Sequence, residues 1–410
     1  MPLGVDARAS SIRVSPIRII ASLIAQARAA GDVISLGGGS PGAAPPDVVI
    51  EAIQNRLRDG GGVFGYGETR GALSVRESFA RSLKEDANWD VDPEEEVILT
   101  DGSQEALFLA TQALISPGDD VIILEPSYVG FEPLVRYAGG RPIYFAQRPE
   151  DGYQPDVERL GEIITRRTKM LILATPDNPT GRMLREEVLR AMVELAKDRN
   201  FYLLIDQAYR KIVYEGSHTY PSRFDPEGRV VISTFTISKE VSLPGARLGF
   251  LVGPREVVEA AEKIKQLVTL MPNTLGQIAA QTYYSWSGRH SYIRDHVIPL
   301  YKARRDEMER ALREHLPRAR FVKPQGAFYY FVDVSDYLTP GMAERDYYRE
   351  LLEEERVVVI PGSFFGGSGR GHIRLTFVTE PPDRLREGVA RLSRFYRKRL
   401  DLTHRGWNGF

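Results

Sequence analysis

The sequence predicts an α/β fold: a mostly parallel seven-stranded sheet flanked by helices, followed by a smaller α+β domain. Three observations carry this. Seven short apolar runs recur between residues 97 and 252, and near-continuous apolar strands belong to parallel sheets covered on both faces. The stretches between them have helical periodicity, as over residues 184–198, where Leu184, Val188, Met192, Leu195 and Ala196 share a face. From residue 320 onward, short strand patterns mix with two helical ones, which is the signature of a separate α+β unit.

At 410 residues the chain is long enough for two domains. The expected divisions are 1–45 (a segment joining the small domain), 46–288 (the large domain) and 289–410 (the small domain). A formal net charge of -1 excludes a general attraction to nucleic acid or to anionic membrane. The absence of cysteine excludes disulfides, thiolate metal sites and cysteine nucleophiles. No basic cap precedes an apolar core at the N-terminus, and no apolar run approaches the ~18 residues of a membrane span. A cytoplasmic location is the expectation. Six histidines lack metal-ligand spacing, so no metal site is expected.

Taken in order, residues 15–30 read as a helix through Ile19, Ile20, Leu23, Ile24 and Ala27. Val33-Ile34-Ser35-Leu36 then forms a short strand that runs into the bend Gly37-Gly38-Gly39-Ser40-Pro41. A helix is expected over 46–58, and a glycine-rich loop carrying Tyr66 follows it. The seven strands begin at Val97, Val121, Ile143, Met170, Tyr202, Val230 and Leu248. Helices are expected at 261–270 and 273–286, then a long connecting helix over 290–316 with a bend at Pro299. Strands at 328–332, 357–360 and 372–377, with helices at 343–355 and 383–399, complete the small domain.

The chemistry is expected where the strands end, because ligands of open α/β sheets bind beyond the carboxyl ends of the strands. After Val97-Ile98-Leu99, the residues Gly102, Ser103 and Gln104 open a helix whose unpaired N–H groups form an anion site. After the run from Tyr202, Asp206 is a carboxylate at the end of an apolar strand, costly to bury unless it is paired. After the run from Val230, Lys239 stands among small residues, well placed to lose its charge and form an imine.

Ser238-Lys239, with Pro244-Gly245-Ala246-Arg247-Leu248-Gly249 behind it, resembles the lysine segment of the class I/II pyridoxal-phosphate-dependent aminotransferases, fold type I. Leu36-Gly37-Gly38-Gly39-Ser40-Pro41, Tyr66 with Gly71, Asn178-Pro179-Thr180-Gly181, Pro324 to Phe328, Pro361 to Gly367 and the strand carrying Arg374 match further family motifs in order. The resemblance implies that pyridoxal 5'-phosphate is bound through Lys239, over Asp206 as the partner of its ring nitrogen. It implies that Gly102, Ser103, Gln104 and Arg247 hold the phosphate, with Thr236 and Ser238 adding hydroxyls. Tyr128 would stack on the ring, and Asn178 and Tyr209 would hydrogen-bond the ring oxygen. Gly39, Asn178 and Arg374 would bind the substrate carboxylate, and Tyr66 would reach the phosphate of a neighbouring subunit, making a homodimer with shared sites. The last strand of the sheet should run antiparallel to the rest.

The implied reaction moves an amino group between an L-amino acid and a 2-oxoacid, with the Lys239 amine carrying the proton from the α-carbon. Departures are small: Gln207 stands where relatives more often have Glu, and Thr236-Ile237 where many have Ser-Phe. Aspartate-type relatives place an arginine at Val268 or a lysine at Gln104, and both cations are missing here. An apolar lining from Val268, Leu270 and Ile17 therefore favours aromatic or aliphatic donors, while Arg13 and Arg18 keep aspartate, glutamate and 2-aminoadipate open. Decarboxylase, C–S lyase and oxidase chemistry on the same cofactor is the alternative. A regulator of this fold would need a helix-turn-helix ahead of residue 15, and none fits.

Overall fold

In the computed structural model, residues 4–12, 14–29, 31–60, 63–338 and 344–406 are described. A short strand β1 (Ile34–Ser35) precedes the main sheet of β2 (Val97–Thr100), β3 (Asp120–Glu125), β4 (Arg141–Ala146), β5 (Thr168–Ala174), β6 (Tyr202–Asp206), β7 (Val231–Thr236) and β8 (Gly249–Val252). These seven lie in the order β2-β8-β7-β6-β5-β3-β4. β8 pairs antiparallel with both β2 and β7, and the other pairings are parallel, as expected.

Alternation along the strands explains why they read as continuous apolar runs. Ile123, Ile172, Leu204 and Ile232 face the Ser103–Leu114 and Arg255–Val268 helices, in a core with Ala106, Leu109 and Val258. Their neighbours Ile122, Leu171, Leu203 and Val231 face the Glu186–Arg199 helix, meeting Val188, Met192 and Val193. Each such side chain contributes about 1.5–3 kcal/mol when fully buried. With both faces covered by helices, the open end for chemistry is the C-terminal edge.

The remaining strands are β9 (Arg320–Phe321), β10 (Tyr329–Asp333), β11 (Val357–Val358), β12 (Ile360–Pro361) and β13 (His372–Thr376). An antiparallel sheet β12-β13-β10-β9 places Phe331 opposite Arg374 and Tyr329 opposite Thr376. β1 pairs in parallel with β11, so the N-terminal segment is stitched to the C-terminal part of the chain. Glu380 accepts from the Ser35 amide, and Arg384 donates to Asp32, beside that pairing.

Three elements differ from expectation. The connecting helix is continuous from Arg289 to His315 but not uniform: a π-helical turn over Tyr292–Val297 stands just before Pro299, whose missing N–H leaves an upstream carbonyl without its helical donor. The helix expected at 261–270 begins earlier, at Arg255 behind Pro254, and ends at Val268, leaving Leu270 with φ +66°. A helix Leu73–Ala87 was not anticipated, although Val75, Phe79 and Leu83 sit at i, i+4 and i+8 and are all buried. Ala343, the expected start of the Glu344–Glu355 helix, lies outside the described residues. Among the described residues no helix is long and apolar enough to cross a membrane.

Candidate active site

The C-terminal ends of β2, β3, β5, β6 and β7 converge on one cavity of about 2220 Å³. Its wall contains Gly39, Ser103, Gln104, Tyr128, Asn178, Asp206, Tyr209, Thr236, Ser238, Lys239, Arg247 and Arg374. Every residue expected to hold the cofactor or the substrate carboxylate lines this space except Gly102, which is next to Ser103 on its wall, and Tyr66, which is 90% exposed and lies outside it.

Lys239 stands on a single helical turn, Ile237–Glu240, directly after β7. Thr236 caps that turn, its Oγ1 accepting from the Ser238 amide at 3.1 Å and donating to the Leu248 carbonyl at 3.0 Å. The turn aims the lysine into the cavity, where its Nζ donates to the Gly39 carbonyl at 2.7 Å. Burial pulls the amine below its usual pKa, against the opposing influence of Tyr329 and Asp206. A lysine so placed is biased toward the neutral, nucleophilic form.

Asp206 ends β6, buried on the floor of the cavity. Burial pushes its carboxyl up to about 6, although the Ala208 amide (3.0 Å) and the Thr234 hydroxyl (3.3 Å) donate to it. Both donors converge on Oδ1. Oδ2 is therefore the oxygen left to meet an N–H from the cavity.

Arg374 is 1% exposed, and desolvation lowers its pKa. One terminal nitrogen donates to Asn178 Oδ1 at 2.9 Å and the other to the Gly37 carbonyl at 2.8 Å, while Nε has no partner and is buried. Because the Asn178 oxygen accepts from Arg374, its amide nitrogen is free to donate into the cavity. Asn178 is held by a tight turn in which the buried Asp177 accepts from the Thr180 hydroxyl at 2.6 Å and faces Arg182 at 3.7 Å.

The anion cradle is built at the Ser103–Leu114 helix start. Gly102 adopts φ +82°, a region glycine occupies without strain, and a Cβ there would collide with the Arg247 guanidinium. Arg247 is steadied by the carbonyls of Pro244 (3.0 Å) and Asp101 (2.9 Å). The Tyr128 hydroxyl donates to Gln104 Oε1 at 3.0 Å. A helix N-terminus beside a guanidinium fits a phosphate, and the unmatched Asp206 oxygen fits a protonated ring nitrogen. The buried Arg374 Nε, with no partner of its own, fits a carboxylate. The residues present suit pyridoxal 5'-phosphate and an amino acid.

Two expectations change. Val268 and Leu270 are half exposed at the end of the Arg255–Val268 helix and are not on the cavity wall of their own chain, because that helix points its last turn outward. Ile19, Ile20, Ile24, Phe108 and Leu134 supply the apolar wall instead, with Arg18 beside them. Arg13 lies outside the described residues, as does the side chain of Ile17. Sequence reasoning also missed Tyr329, which lines the cavity with its hydroxyl 2.8 Å from that of Tyr209. The signal was available one residue beyond the Pro324 to Phe328 motif, in the alternation of β10.

The family model described as aminotransferase class I and II matches residues 31–392. An aspartate/prephenate aminotransferase of Thermus thermophilus is 33% identical over 393 residues, covering 95% of this chain and 98% of that one. The structure of aspartate aminotransferase from Thermus thermophilus with maleate is similar with a TM-score of 0.89 at 31% identity, covering 96% of this chain and 100% of that one. An aromatic aminotransferase structure from Pyrococcus horikoshii gives 0.84 at 28% identity, covering 92% and 99%.

Proposed function

The chain belongs to the class I and II aminotransferase family and is a pyridoxal 5'-phosphate-dependent transferase, and from that premise we propose how its residues divide the work and which donors it takes. The observation that carries the division is the placement of Lys239, Asp206 and Arg374 around one cavity. When bound, the cofactor supplies an aldehyde that accepts an amino group and a cationic ring that draws electrons from the α-carbon. The helix start at Ser103 and Gln104, with Arg247, binds the phosphate, while Thr236 and Ser238 line the same end. Asp206 would hold the proton on the ring nitrogen, Asn178 and Tyr209 would donate to the ring oxygen, and Tyr128 would stack on the ring.

Arg374 binds the α-carboxylate in a fork, with Asn178 and Gly39 completing that end. With the cofactor bound, Lys239 Nζ would hold and move the α-carbon proton, a task that the lowering of its pKa by burial favours.

The apolar wall of Ile19, Ile24, Phe108 and Leu134 favours aromatic or aliphatic donors, with 2-oxoglutarate or pyruvate as acceptor. Arg18 on the same wall supports a second reading, in which a distal carboxylate is read as well and aspartate, glutamate or 2-aminoadipate is the donor. Ranking kcat/KM over amino donors, by following the bound cofactor's colour change, decides between them. We expect phenylalanine or leucine to lead; about a hundredfold preference for aspartate overturns the first reading and assigns Arg18 the distal carboxylate.

Residues 1–45 are read as working with 289–410 as a small domain against the large domain 46–288, a division supported by the β1–β11 pairing. Tyr66, exposed beside Phe64, supports a homodimer in which it reaches the partner's phosphate; a particle of twice 46.0 kDa in sedimentation is expected, and a monomer with full activity contradicts it. The lack of cysteine supports a cytoplasmic enzyme.

A further inference from the structure

Tyr329 touches three parts of the site at once. Its hydroxyl is 2.8 Å from that of Tyr209. Its ring lies under the Arg374 guanidinium, 4.2 Å from ring centroid to Cζ, and among the described residues no carboxylate pairs with Arg374. Its hydroxyl also comes so close to the backbone of Gly39 that a Cβ there would stand 2.6 Å away, which is why only glycine fits beneath it. The register of the small sheet explains the convergence. Tyr329 lies opposite Thr376 and Phe331 opposite Arg374, so Tyr329 and Arg374 are diagonal neighbours on one face.

We infer that Tyr329 is a positioning residue that couples the two ends of the site, its ring seating Arg374 for the substrate carboxylate and its hydroxyl orienting Tyr209 toward the ring oxygen. This rests on the roles proposed for Arg374 and Tyr209. With the Tyr209 proton directed at the ring oxygen, the proton shared between the two phenols comes from Tyr329. Tyr209 is thereby held in one rotamer and made a stronger donor. The ring does separate work: a desolvated guanidinium held over an aromatic face is attracted to it, which restrains where Arg374 sits. Among the described residues, the titratable groups that interact with Tyr329 are Tyr209, Arg374, Lys239, Tyr128 and Tyr214.

The two functions are separable by substitution in the cofactor-loaded enzyme. Tyr329→Phe keeps the ring and removes the hydroxyl. Tyr329→Leu removes both. The first readout is the pH midpoint of the bound cofactor's visible absorbance, and the second is the Kd of 3-phenylpropionate, a carboxylate that binds without reacting, from its spectral perturbation. Tyr329→Phe should raise the midpoint by about half a pH unit, because a weaker Tyr209 donor leaves the ring oxygen holding its neighbouring proton more tightly. The same variant should bind 3-phenylpropionate within about twofold of wild type, whereas Tyr329→Leu should bind it about tenfold more weakly. Tyr329→Met takes the place of leucine if the latter does not fold. A midpoint unmoved in Tyr329→Phe, or unchanged 3-phenylpropionate affinity in the ring-deleted variant, overturns the inference. Wild-type protein that shows no visible band at all contradicts the cofactor reading instead, so the two failures are told apart.

Discussion

Asp206 shows how a single residue ties stability to function. Its carboxyl is raised by burial to about 6, so in the cofactor-free protein the proton is bound more tightly in the folded state than in the unfolded one. Stability therefore falls as pH rises from about 4 to 6 and stays low above that range, where an unpaired charge is buried. Asp206→Asn removes the penalty. Without cofactor the variant should match wild type near pH 4 and exceed it at pH 8 by on the order of 2–3 kcal/mol in urea denaturation. With cofactor the order should reverse, since the asparagine cannot pair with a protonated ring nitrogen, and turnover should fall at least about a thousandfold. A variant no more stable than wild type at pH 8 would show that the carboxylate is already paired within the protein.

Asp206 and Lys239 were legible in the sequence because each breaks an apolar pattern at the end of a strand, where charge needs a reason. Tyr329 was not, because an aromatic residue in a half-buried strand is what a core also requires, and only the register across β10 and β13 reveals its face. Val268 and Leu270 were misplaced for the converse reason. Apolar character predicts burial against something, but not which chain or cavity supplies the cover.

Among elements, the turn carrying Lys239 and the turn carrying Tyr209 are fastened to each other. Glu240, next to Lys239, accepts from Arg210, next to Tyr209, through Nε and a terminal nitrogen, each at 3.2 Å. Tyr284 also donates to that carboxylate, and the Arg210 guanidinium lies 4.9 Å from the ring of Phe235 and 5.3 Å from that of Phe79. Both charges are buried, and without Glu240 the Arg210 guanidinium keeps only the buried Asp86, at 3.9 Å and shared with Lys211 and Arg289. Glu240→Gln should therefore lower unfolding free energy by about 3 kcal/mol in urea titrations, whereas a loss under about 0.5 kcal/mol would mean that solvent reaches the pair.

This brace is not legible in the sequence, since Arg210 and Glu240 are thirty residues apart and no motif or periodicity pairs them. The seven strands were legible because their alternating faces both meet helices, leaving unbroken apolar runs. The Leu73–Ala87 helix was overlooked because its apolar stripe is narrow and set among charges, yet Phe79 stacks on Phe250 at 3.8 Å and anchors the helix against β8. At Pro299 the disturbance expected of a proline takes the form of a π-helical turn just ahead of it, in a helix that continues on both sides.

At the scale of the whole molecule, the site is where two sheets meet. The main sheet supplies Asn178, Asp206 and Lys239 from or just beyond β5, β6 and β7, and the small sheet supplies Tyr329 and Arg374 from β10 and β13. The Asn178–Arg374 and Tyr209–Tyr329 hydrogen bonds both cross that junction, so under the roles proposed for Arg374 and Tyr209 the relative placement of the two sheets would bear on substrate binding. The N-terminal segment joins on the same side, bringing Gly37 to Arg374 and Gly39 to Lys239. The order of motifs along the chain announced this assembly, whereas the contacts across the junction came only with the fold.

The central claim is that the amine of residue 239 is the point of covalent attachment. Reducing the cofactor-loaded enzyme with sodium borohydride, then mapping its peptides by mass spectrometry, tests this most directly. The account predicts a reduced pyridoxyl phosphate adduct on Lys239, abolished when an amino acid donor is added before the reductant and absent from Lys239→Ala. An adduct on another lysine, or none on Lys239 in a protein that still turns over, would contradict it.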